Sequence, residues 1–138
     1  MILDSAQEFS GGQAVTASAV STNIIDLGVD RDIGKGEPMA IVVSSSVAAG
    51  GTNPTLQVEL QTDSVEGMGS LTTIATSEQV AGMEAGQTIV VPLGMTNERY
   101  LRLRYVTTGT SPTHTLDAFL QPLSMVDAKV DYASGYSI

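Results

Sequence analysis

The stretch Arg99-Tyr100-Leu101-Arg102-Leu103-Arg104-Tyr105-Val106 alternates between apolar and basic side chains. Successive side chains of a β-strand point to opposite faces, so this spacing predicts Leu101, Leu103 and Tyr105 on a buried face and Arg102 and Arg104 on a wet one. Three of the chain's six basic residues (Arg99, Arg102, Arg104) fall in this one strand. The reading therefore sets a charge question beside the core assignment.

Working outward, the same two-residue period recurs in short runs. Val15, Ala17 and Ala19 mark one, Ile25 and Leu27 a second, and Met39 to Val43 a nearly continuous apolar run of the kind expected for a strand buried on both faces. Leu56, Val58 and Leu60 alternate with Gln57, Glu59 and Gln61, while Leu71 to Ser77 is rich in β-favouring Thr around Ile74. Ile89, Val91 and Leu93 form a further strand. Beyond Val106, the run Thr107-Thr108-Gly109-Thr110-Ser111-Pro112 reads as a hairpin-like turn into a last strand carrying Leu116, Ala118 and Leu120.

Gly-rich and polar segments separate these runs, notably 30–38, 48–54 and 62–69. Ser77 to Gly86 starts like a capping box, yet Gly82 and Gly86 limit it to one helical turn at most. About eight short strands without a three-turn helix predict an all-β fold, an antiparallel jelly-roll-like sandwich. The expected organisation is an N-terminal arm over 1–12 with a joint at Gly11-Gly12, the β-domain over 13–123, and an extended C-terminal arm over 124–138.

The chain has 138 residues, enough for one domain with one core. Without Cys there is no disulfide and no thiolate chemistry. The formal net charge of −9 repels a polyanion and an anionic membrane alike, so neither nucleic acid nor membrane is an expected partner. Only the Arg99, Arg102 and Arg104 group could overcome that field locally, and arginines on the exposed face of a strand more often pair with acids across the sheet. Met1 to Glu8 has neither the basic nor the apolar region of a secretory signal. The most apolar run, Met39 to Val43, falls far short of the ~20 residues a spanning helix needs.

Catalytic machinery is equally hard to find. His114 is the sole histidine and no G-x-S-x-G elbow accompanies it. Asp30 and Asp32 suggest calcium, but Gly34 stands where the EF-hand loop needs its third Asp or Asn. Gly34-Lys35-Gly36-Glu37 lacks the spacing of a phosphate loop. Carboxylate pairs could hydrolyse glycosides, although sugar clefts favour aromatic walls and this chain has no Trp, four Tyr and two Phe. The expectation is a non-enzyme with no catalytic residues, no cofactor and no metal.

What stands out is apolar material near the termini: Phe9 in the first arm, expected to dock on the body or on a partner, and Tyr132, Tyr136 and Ile138 in the second.

Several blocks also resemble a known family. Phe9-Ser10 with Gln13-Ala14-Val15-Thr16-Ala17-Ser18-Ala19, then Ser21-Thr22-Asn23-Ile24-Ile25-Asp26-Leu27-Gly28 and Asp32-Ile33-Gly34-Lys35-Gly36-Glu37-Pro38, occur in order. Leu56-Gln57-Val58-Glu59-Leu60-Gln61-Thr62, Arg99-Tyr100-Leu101-Arg102-Leu103 and Ser134-Gly135-Tyr136 follow. In this order and spacing the chain resembles the small capsid cement, or decoration, proteins of tailed bacteriophages. The resemblance implies a jelly-roll-like fold, homodimers, and a mechanical role on the outer surface of the virion after synthesis in the host cytoplasm. There the protein would bridge neighbouring subunits of the major capsid protein and stabilise the shell against genome pressure. Candidate capsid or dimer contacts are Phe9, Lys35, Glu37, Arg102, Arg104, Tyr132 and Tyr136. The competing expectation from a different class is a carbohydrate- or receptor-binding β-sandwich displayed on the particle.

Overall fold

The computed structural model describes residues 8–27, 39–93 and 98–122. Its strands are β1 (Glu8–Val15), β2 (Ala19–Val20), β3 (Ile25–Asp26), β4 (Met39–Ser45), β5 (Gly50–Asp63), β6 (Thr72–Thr76), β7 (Val80–Ala81), β8 (Thr88–Leu93) and β9 (Tyr100–Pro122). The arginine-bearing stretch is the first part of β9, which at 23 residues takes part in two sheets.

In the first sheet the early half of β9 pairs with β5 from Tyr100↔Asp63 to Thr113↔Gly50. Its other edge pairs with β2 through Ala19↔Tyr105 and with β3 through Ile25↔Leu101, while β6 and β7 extend the far side of β5. In the second sheet the late half of β9 lies between β1, through Val15↔His114, and β4, through Ile41↔Leu120, with β8 beyond β4. Every pairing is antiparallel. The far strands β6 and β8 approach one another, so the all-β body is nearly barrel-shaped.

The expected turn at Thr107 to Pro112 is therefore corrected: this segment is strand, and it is the corner at which β9 passes from one sheet to the other. Register shifts along β5 between Gly50 and Thr55 provide the bend, as bulges do when a strand changes sheets. Gly109 has φ +116 and Gly51 has φ +96, a region that side chains disfavour. The two backbones meet closely there. A Cβ on Gly109 would lie 2.6 Å from the Asn53 carbonyl oxygen, and one on Gly51 would collide with the Ser111 carbonyl. For the same reason residues 50–54, expected as loop, belong to β5.

The face assignment of β9 holds. Leu101, Leu103 and Tyr105 are fully buried in the main core with Leu56, Val58 and Leu60 of β5, whereas Arg102 and Arg104 are only half-buried. The apolar run of β4 is buried on both faces: Ile41 and Val43 enter the main core, and Ala40 and Val42 form a second cluster with Phe119 and Val90 on the opposite side.

Further expectations change as well. Residues 8–12 of the expected N-terminal arm lie in β1, whose register shifts between Ser10 and Gln13 where a flexible joint was expected. Phe9 is 0% exposed in the chain's own core, so of the two places expected for it, the body or a partner, it docks on the body. The expected strand from Val15 to Ala19 is broken at 16–18, where the chain leaves the second sheet for the first. Within Ser77 to Gly86 the chain forms β7 and a turn, and among the described residues no helix occurs.

The corner makes a direct prediction. Gly109→Ala adds both positive-φ strain and a backbone clash and is expected to lower stability by about 3 kcal/mol or more. Gly82→Ala, at φ +60 with nothing within 4 Å of the new Cβ, should cost only the left-handed penalty of about 1–2 kcal/mol. Urea denaturation of the two variants checks this, and equal losses would remove the corner's special status.

Candidate interaction face

The outward row of β5 is Gln57, Glu59 and Gln61, the polar half of its alternation. The pairings Glu59↔Arg104 and Gln61↔Arg102 set these side chains directly across from the arginines of β9. Arg104 Nη1 lies 3.4 Å from Glu59 Oε1. Arg102 donates from Nε at 3.1 Å and from Nη2 at 2.8 Å to the single amide oxygen of Gln61. Just before β9, Arg99 grips the Asp26 carboxylate with two N–H groups, at 2.7 and 2.9 Å, and its guanidinium sits 5.0 Å from the centroid of the Tyr100 ring.

The possible basic patch thus resolves into three differently satisfied cations. The Arg99 and Arg104 pairs are partly exposed, and such pairs contribute only about 0–1 kcal/mol each. They neutralise charge more than they stabilise the fold. Of the other candidate contacts, Lys35, Glu37, Tyr132 and Tyr136 lie outside the described residues, as do Asp30, Asp32 and the Gly34 to Pro38 loop.

His114, the only histidine, is 3% exposed at the corner of β9. Its Nε2 is 3.1 Å from Thr107 Oγ1, and its Nδ1 has no hydrogen-bond partner among the described residues. Burial pushes its pKa below the usual value. Among the described residues no three His, Cys, Asp or Glu side chains come together as metal ligands would. No helix there is long and apolar enough to cross a membrane.

A polar network that starts at a buried Ser10–Tyr105 hydrogen bond is not legible in the sequence. The Tyr105 hydroxyl is 2.7 Å from Ser10 Oγ, which donates to Gln13 Oε1 at 2.6 Å. Gln13 Nε2 in turn donates to the Val20 carbonyl at 2.9 Å, and Gln13 Oε1 accepts from the Thr22 N–H at 3.0 Å. The network ties β1 to the edge of the first sheet behind the arginine face.

A family model, Bbp16, matches residues 9–120, from Phe9 in β1 to Leu120 in β9. No curated protein matches the chain.

Burial raises the Tyr105 pKa from 10.0 to about 12, the Ser10 hydrogen bond opposing the shift and Asp117 adding to it. The folded chain therefore holds this proton more tightly than the unfolded chain does. Stability is fully present below pH 10 and is expected to fall as pH rises through the folded pKa, by about 2–3 kcal/mol in all. Tyr105→Phe should remove that alkaline loss and cost about 0.5–1.5 kcal/mol at neutral pH through the missing hydrogen bond. Urea titrations at intervals from pH 8 to 12 check both parts.

Proposed function

The chain belongs to the Bbp16 family, and we propose that it is a structural virion protein that binds the outer surface of a phage capsid and cements neighbouring subunits of the major capsid protein. The observation that carries this reading is the series of sequence blocks, in order and at similar spacing, that resembles the capsid cement proteins of tailed phages. Those blocks contribute to β1, β2, β3, β5 and β9. In this reading the nearly closed β-body is a jelly-roll-like sandwich and associates as a homodimer.

Physical chemistry supports the assignment. A chain of net charge −9 is poorly suited to lie among packaged DNA, whereas an outer shell surface tolerates it. A rigid body without helices among its described residues suits a passive mechanical load, and a dimer engaging two subunits at once holds through modest single-site affinity.

The protein should be found in purified virions in numbers matching a repeated lattice site. Particles produced without it should release DNA at a lower temperature, or on a milder drop in salt, than particles that carry it. Its absence from virions, or identical heat and low-salt tolerance of both particle types, would overturn the reading.

A further inference from the structure

We infer that the outward face of the first sheet docks on a carboxylate-bearing surface of the shell, with Arg102 as its anchor. The inference rests on the capsid reading and specifies which face meets the shell. Among the described residues, Arg99 and Arg104 each face a carboxylate, but Arg102 is held only by the neutral amide oxygen of Gln61. A guanidinium has five N–H donors in a fixed fork, and two of them are spent on that one oxygen. Among the described residues the positive charge has no carboxylate partner and the remaining donors no acceptor. A half-exposed guanidinium keeps part of its hydration, and a carboxylate offered in bidentate geometry replaces that water with charge-assisted hydrogen bonds.

The setting prepares the arginine for this. Gln61 is only 4% exposed, so it holds the guanidinium from a fixed position. On the other flank of β9 the ladder is interrupted: beyond the pairing Val20↔Arg104 of β2, Ser21 still bonds Leu103, and pairing then resumes only at Ile25↔Leu101 in β3. Arg102 therefore has no register partner on that side. Val20, one of the exposed large hydrophobic residues, sits opposite Arg104 and offers an apolar contact next to the charge. Because the chain as a whole is acidic, the complementary surface is a neutral or basic one that carries a carboxylate opposite Arg102.

The test uses full-length protein and capsids of the encoding phage assembled without it, with occupancy measured by co-sedimentation and folding by thermal melting. Arg102→Gln is expected to fold and to bind at least ~10-fold more weakly, as expected when one partner of a desolvated charge pair is removed. Arg102→Lys should fall between the two, since it keeps the charge but loses the planar fork. Gln61→Glu is the decisive variant. It supplies Arg102 with an internal carboxylate, so the melting temperature should be unchanged or raised while capsid binding falls, a combination that a purely structural arginine does not give. Wild-type occupancy by folded Arg102→Gln, or by Gln61→Glu if Arg102→Gln does not fold, would overturn the inference and leave the capsid reading standing. Failure of the wild-type protein to bind would overturn both.

Discussion

The close approach of two backbones at Gly51 and Gly109 is the constraint on which the rest of the architecture depends. A strand can serve two sheets only if it bends without losing its ladder, and here β5 bends opposite β9 so that pairing continues from Tyr100 to Thr113. Side chains at either glycine would point into a carbonyl of the opposing strand. Once β9 is bent this way, its early half presents Leu101, Leu103 and Tyr105 and its late half presents Leu116, Ala118 and Leu120 to the same core. The two sheets close over one interior because they share this strand.

Inner packing also determines what the outer face can do. Each buried residue of β9 fixes its exposed neighbours, so the full burial of Leu101, Leu103 and Tyr105 holds Arg102 and Arg104 on a rigid surface. The Tyr105 hydroxyl adds a polar tie from that interior to β1 through Ser10. The arginines occupy one side of a strand whose other side cannot move independently of the core.

The alternation at Leu101, Leu103 and Tyr105 and the double-sided burial of Met39 to Val43 were legible in the sequence, because periodicity and apolar run length report local burial directly. The corner was not. Thr107-Thr108-Gly109-Thr110-Ser111-Pro112 has the composition of a turn, and only the pairing of this segment with 50–56 makes it a bulged strand. The start of β1 was hidden for a related reason: Gly11-Gly12 looks like a joint unless Phe119 and Ala118 are known to lie across from Glu8 and Ser10. At the candidate face the arginines themselves were visible, but their partners depend on register. Whether Arg102 meets Gln61 or Glu59 changes its charge balance, and a one-residue slip would turn both away.

The pairing of the earliest described strand with the latest one bears on how the chain is made. Glu8 pairs with Phe119, and β4 and β5 also take their central partner from β9. A nascent chain on the ribosome can pair β4 with β8 and β5 with β6 and β7, but it cannot complete either sheet until β9 has emerged, and until then one edge of β4 and one edge of β5 stay uncovered. Contacts of such long sequence separation make folding slow and leave unpaired strands open to aggregation. Completion of the body therefore waits on β9, the strand that joins β1, β4 and β5 into their sheets.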